Sequence, residues 1–137
     1  LNPNIIITTV TRNGPQGERI PSGYLESWQH IRDNLPNTSL VGIRDNPWFT
    51  FDPPLCLEVK NHNECSISRG AFYNDDTVMP ILTKHLDVTL DFSNEFCPDD
   101  TCSTVLESGL VKFKDKHHLT KSYALLFKPI LEEGMQM

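Results

Sequence analysis

The sequence predicts an α/β fold with a parallel sheet, on three observations. Asn4 to Thr11 (NIIITTVT) is a β-branched apolar run bounded by Pro3 and Gly14, and it reads as a buried strand. Tyr24, Trp28, Ile31 and Leu35 then recur on one helical face. Ser39 to Ile43 (SLVGI) is a second short buried strand. The connection between the two strands has the length that a parallel crossover needs.

The elements follow in order. Arg12-Asn13-Gly14-Pro15 is a turn cluster that ends the first strand. Pro21-Ser22-Gly23 opens the helix, Trp28 is expected in the core, and Pro36 stops the helix. Asn37-Thr38-Ser39 matches a glycosylation sequon, relevant only in a eukaryotic host. Residues 52–75 form a long irregular segment, of a kind uncommon unless functional or cross-linked. Thr77 to His85 is a short helix with Pro80 in its first turn, and His85 is expected on the surface. Val88 to Phe92 (VTLDF) alternates as a third strand, and Leu110 to Phe113 (LVKF) is a short strand or hairpin arm. Leu119, Tyr123, Leu126, Phe127 and Ile130 form the apolar stripe of a final helix, with Thr120 as its N-cap.

A length of 137 residues suits a single domain, 1–137, with one core. The apolar content of 38%, with ten Pro and seven Gly, makes the chain globular but rich in loops. A net charge of −6 argues against nucleic acid or an anionic membrane as the main partner. No apolar run approaches the length of a membrane span. The chain starts at Leu1 without a visible signal peptide, so we expect a piece of a longer polypeptide, with any targeting segment upstream.

Four cysteines fall into two local pairs. Of the three possible connectivities, Cys56–Cys65 with Cys97–Cys102 is the expected one. Each short loop would then stabilise the fold by roughly 2–3 kcal/mol in the chain-entropy account. Disulfides place the domain in an oxidising compartment, outside the cytoplasmic membrane. Zinc held by Cys97, Cys102 and a histidine is the competing reading, weakened because Cys56 and Cys65 are not spaced as a ligand pair.

The chemistry centres on Asp115-Lys116-His117-His118-Leu119-Thr120. A histidine near its ordinary pKa of about 6.5 can accept a proton at neutral pH. A carboxylate on one ring nitrogen fixes the tautomer and stabilises the imidazolium. In a tight turn, residues three apart approach closely enough for Asp115 to meet His118. A solvated or helix-capping Asp beside an exposed His is the plainer reading of the same spacing. Binding loops in open α/β sheets gather at the carboxyl ends of the strands. Thr11-Arg12-Asn13 and Arg44-Asp45-Asn46-Pro47-Trp48-Phe49 are two such ends. Arg44 and Asp45 either face a substrate, pair with each other or cap the loop, and Trp48, Phe49 and Phe51 either wall a pocket or cover the sheet edge. No phosphate-binding Gly loop, metal motif, repeat or low-complexity tract appears.

Asp115-x-x-His118-Leu-Thr resembles the last sequence block of the SGNH (GDSL-type) hydrolase superfamily. The ordered set of Arg44-Asp45-Asn46-Pro47-Trp48, Cys56/Cys65, Cys97-Pro-Asp-Asp-Thr-Cys102 and Asp115-Lys-His-His-Leu-Thr-Lys-Ser-Tyr-Ala resembles a narrower group. That group is the extracytoplasmic SGNH domain fused to bacterial membrane acyltransferases of the acyltransferase-3 class. The resemblance runs from about Ile5 to the end. It implies a three-layer α/β sandwich with a parallel sheet, flavodoxin-like, and transfer of an acyl group, usually acetyl, onto hydroxyls of cell-surface glycans. It implies His118 as general base and Asp115 as its orienting acid, with His117 a neighbour. No cofactor and no metal are implied.

The sequence departs from the family in one large respect. The Gly-Asp-Ser block that carries the nucleophile is missing, so the chain is expected to be a C-terminal portion, incomplete at the N-terminus. Ser22, Ser68 and Ser122 lack the matching context. The family's oxyanion-hole asparagine follows a mid-domain strand, a place comparable to Thr11-Arg12-Asn13, which makes Asn13 or Arg12 the candidate. The expected partners are an acyl donor, a glycan hydroxyl and an upstream transmembrane domain of the same polypeptide, at the extracytoplasmic face of a bacterial membrane. Two alternatives stand beside this: a non-catalytic, disulfide-stapled binding module of the cell surface, and a stand-alone secreted esterase.

Overall fold

The computed structural model describes residues 1–136. Its centre is a parallel sheet of three strands, β1 (Ile5–Thr9), β2 (Ser39–Ile43) and β4 (Val88–Leu90), in the order β1-β2-β4. The register pairs Ile7 with Val41 and Gly42 with Thr89. A smaller antiparallel pair joins β3 (Ser66–Ser68) to β5 (Thr101–Ser103).

Two helices connect the parallel strands. Helix α1 (Tyr24–Asn34) joins β1 to β2, and α3 (Asp75–His85) precedes β4. Strand side chains alternate between faces, so Leu40 and Val41 point opposite ways. Leu40 and Val10 meet Trp28 of α1 and Val78 and Leu82 of α3 in one cluster. Val41 and Leu90 join the second cluster, with Phe92, Phe96, Tyr123 and Phe127. Gly42 is required where the layers approach: a Cβ there would lie 2.6 Å from Cγ1 of Val10.

The structure corrects several expectations. The first strand is shorter than Asn4–Thr11 and is not buried: Ile5 and Ile7 are 38% and 48% exposed. It lies at the sheet's rim, pairing only with β2 among the described residues. The segment 52–75 is not irregular. Asp52 caps α2 (Pro53–Val59) by accepting from Leu55 N, and β3 follows. Helix α3 starts at Asp75, two residues early, which puts Pro80 in its interior. His85 is half-buried, its ring 6.3 Å from that of Trp28. The third strand ends at Leu90, and a short helix, α4 (Ser93–Phe96), follows.

The final helix is broken. Helix α5 (Lys121–Ala124) passes through a 3-10 turn into α6 (Lys128–Gly134), with Pro129 at the start of α6. Tyr123 and Phe127 point inward, whereas Leu126 and Ile130 lie outside. The kink turns the stripe away from a single helical face. Both expected disulfides are present, Cys56–Cys65 and Cys97–Cys102, which disposes of zinc on Cys97 and Cys102. No helix among the described residues is long and apolar enough to cross a membrane.

Candidate functional site

Three loops meet at the carboxyl ends of the parallel strands. The first follows β1 and carries Thr11 to Glu18, the second follows β2 and carries Arg44 to Phe49, and the third runs from Lys114 to His118. The third is closed by an isolated pairing of Phe113 with Leu119 and by Lys114 N donating to His118 O at 2.9 Å. The second and third are laced together. Phe49 N donates to Lys116 O at 2.8 Å, and Asn46 Nδ2 donates to His117 O at 2.6 Å. Thr120 caps α5 as its sequence position suggests, accepting from Tyr123 N.

Within this frame Asp115 meets His118. His118 Nδ1 lies 2.8 Å from Asp115 Oδ2. The other carboxylate oxygen, Oδ1, accepts from His117 N at 3.0 Å and from His118 N at 2.8 Å. Those two backbone amides, with the His118 ring, hold the Asp115 carboxyl well below the usual carboxylate range. An ionised carboxylate can only accept, so the shared hydrogen sits on Nδ1 and the neutral ring leaves Nε2 bare. The side chains are 58% exposed at His118 and 41% at Asp115, so the bare nitrogen is open to an incoming group. His117 stacks on Trp48 with ring centroids 4.1 Å apart. Among the described residues the His118 ring bonds Asp115 and no hydroxyl.

Arg44 faces inward. Its guanidinium binds the buried Glu18 through two of its three nitrogens, Nε at 2.8 Å and Nη2 at 2.6 Å. It also reaches Asp75 and Asp91, and it lies 4.6 Å from the Tyr73 ring centre. Burial opposes the charge on Arg44, but the hydrogen bond and charge of Glu18, with Asp75 and Asp91, outweigh it and raise its pKa. Arg44 is therefore neither a substrate-facing cation nor the partner of Asp45. Asp45 instead accepts from Asn13 N at 2.8 Å and Asn46 N at 3.0 Å. Burial pushes the Asp45 carboxyl up, and these amides pull against it.

Asn13 is buried behind the second loop and donates Nδ2 to Asn46 O at 2.9 Å. Its amide nitrogen is thus engaged within the protein, while its Oδ1 is buried without a partner among the described residues. Arg12 pairs its backbone with Arg19 and is half-buried. The Asn13 amide is thus spent on the second loop, and the charge of Arg12 falls on Asp45, as does that of His117. Trp48 is half-buried beside His117, whereas Phe49 is buried against Phe72 and Phe113. Asn46 lies in the binding loop read from the sequence, though without a role of its own, whereas Glu18 and Asp91 escaped that reading. Asp91 stands directly after β4, which is a usable signal; nothing marks Glu18.

An apolar cleft of about 270 Å³ opens beside the loops, lined by Ile43, Asp45, Asn46, Phe92, Leu119 and Phe127 among others. It adjoins the third loop at Leu119. Comparison of the chain with protein-family models, with curated proteins and with solved structures finds no match.

Proposed function

We propose that the chain is the C-terminal portion of an SGNH-type domain that transfers or hydrolyses acyl groups, chiefly acetyl, on cell-surface glycans. The observation that carries this is the Asp115–His118 pair, with its anchored carboxylate and partly exposed ring. In this reading the serine nucleophile comes from polypeptide upstream of Leu1. His118 takes the serine proton as the hydroxyl attacks the acyl carbonyl. It returns that proton to the leaving group, then repeats the exchange as the glycan hydroxyl or water attacks the acyl-serine. Asp115 steadies the imidazolium in both halves.

Two features support the incomplete, three-layer form of this fold. Helices α1 and α3 pack on one face of the sheet and the C-terminal segment on the other. Among the described residues β1 is paired along one edge only, and Ile5 and Ile7 are partly exposed, which leaves room for a further strand and its helix. The two disulfides are compatible with a location outside the cytoplasmic membrane, tethered to an acyltransferase membrane domain. Trp48, half-buried and stacked on His117, places an aromatic side chain beside the pair, near where an acceptor sugar would approach.

A fluorophosphonate probe on the full-length polypeptide tests this reading. Covalent labelling of an upstream serine, lost in His118→Ala, is the expected result. No labelling of an active, folded preparation would favour the second reading, a non-catalytic surface binding module, for which the missing His118–hydroxyl bond speaks. Gene sequence upstream of Leu1 separates a fused acyltransferase from a secreted esterase. Transmembrane helices are expected.

A further inference from the structure

We propose that Asp115, His117 and His118 form a capture site for a first-row divalent transition cation, zinc, copper or nickel, and that its occupation silences the acid–base pair. The binding half stands on geometry alone; the silencing half rests on the acyl-transfer reading above.

One potential ligand atom from each of the three residues lies within 4.8 Å of the others. His118 Nδ1 is 2.8 Å from Asp115 Oδ2, and His117 Nδ1 is 3.9 Å from Asp115 Oδ1. Ligand atoms about 2.0–2.2 Å from one zinc ion stand roughly 3–3.5 Å apart around it. Small side-chain adjustments therefore bring all three onto one ion. Two imidazoles and a carboxylate suit zinc, copper and nickel, whereas calcium and magnesium prefer oxygen. Three protein ligands also leave a coordination position for water.

The site is already ordered. Both His117 and His118 backbone amides hold Asp115, the Trp48 indole holds the His117 ring, and Asn46 holds the His117 carbonyl. The His117 and His118 rings are 4.0 Å apart between centroids. All three side chains are partly exposed and reachable from solvent.

The consequence for the base follows from proton placement. A cation on His118 Nδ1 displaces the hydrogen shared with Asp115. The neutral ring then carries its hydrogen on Nε2, which can no longer accept a proton from a hydroxyl. No net proton is released from the ring, and removal of the cation by a chelator restores the original tautomer.

Calorimetric titration of the chain with zinc tests the site, with the disulfides intact. One equivalent is expected to bind well below millimolar concentration. His117→Ala is expected to weaken binding roughly 10-fold or more, while His30→Ala leaves it unchanged. Copper should quench fluorescence from Trp48, which touches the site, and Trp48→Phe should remove that component. Absence of stoichiometric binding below about 1 mM, or equal affinity in His117→Ala, overturns the proposal. In the full-length polypeptide, zinc is expected to suppress serine labelling and EDTA to restore it. Zinc binding without suppression overturns the silencing half. A full-length protein that never labels sinks the acyl-transfer reading while leaving the measured affinity intact.

Discussion

Arg44 and His118 stand on adjoining loops at one end of the same sheet, and each is held by carboxylates. Their surroundings differ in kind. Arg44 is 2% exposed, and Glu18, Asp75 and Asp91 take up its donors. His118 is largely exposed, and a single side chain meets its ring. A charge enclosed on every side fixes the loops and has nothing left to offer a substrate. A ring bonded at one nitrogen keeps the other for chemistry. Both arrangements set a nitrogen base against carboxylate, and the number of unspent hydrogen-bonding positions separates scaffold from site.

The sharpest way to break this contrast is Asp115→Asn in the full-length polypeptide. The Asn Oδ1 can still accept the two backbone amides, so the loop should keep its shape. Its NH2 group, however, forces His118 Nδ1 to accept, which moves the ring hydrogen to Nε2. Turnover is expected to fall by about 10⁴-fold with the melting temperature nearly unchanged. Steady-state kinetics with a melting curve decides it, and near-normal turnover removes Asp115 from the mechanism.

Arg44→Met probes the opposite member. It leaves Glu18 buried without its cation, and a loss of about 3–5 kcal/mol is expected from urea denaturation. The double variant Arg44→Met/Glu18→Leu should recover much of that loss, because the fully buried carboxylate leaves with its cation, while Asp75 keeps Arg69 and Asp91 is partly exposed. If Arg44→Met unfolds at the wild-type midpoint, Arg44 is not the loops' anchor.

Lys112 sharpens the contrast further, since it is buried at 1% exposure without a carboxylate. Its Nζ donates to Ser103 Oγ at 2.9 Å, and burial lowers its pKa from 10.5 to about 8. Between those values the unfolded chain holds a proton that the folded chain has lost, so stability rises with pH across that window. Below about 8 the folded protein bears the full penalty of the buried charge. Relative to Lys112→Met, the wild type should gain up to about 3 kcal/mol from pH 8 to pH 10.5. A flat difference in denaturation midpoints across that range would show that the amine keeps its proton. The smallest effect is expected at Thr120→Ala, which removes the cap of α5 and about 1 kcal/mol, measurable as a shift in urea midpoint.

Much of the frame was legible because its signals are local. Tyr24, Trp28 and Ile31 repeat at helical spacing, and all three pack in the first core cluster. The Asp115–His118 contact was legible because the partners stand only three positions apart in a turn. Arg44 was not, since its partner Glu18 lies in another loop and becomes its neighbour only after β1 and β2 pair. The rim position of β1 was hidden for a related reason. An apolar β-branched run looks the same whether one or both of its edges are paired. The break at Pro129 had a visible cause, yet the stripe through Leu126 and Ile130 concealed it. Proline at the start of α6 separates two short helices that share only an approximate face.

The free rim of β1 bears on how the protein behaves in a tube. Ile5-Ile6-Ile7-Thr8-Thr9-Val10 contains neither charge nor proline, and its outer backbone groups are available to any similar strand. Copies at high concentration will tend to zip together along this margin. Solubility therefore depends on how well that margin is capped, and less on the net charge of the surface.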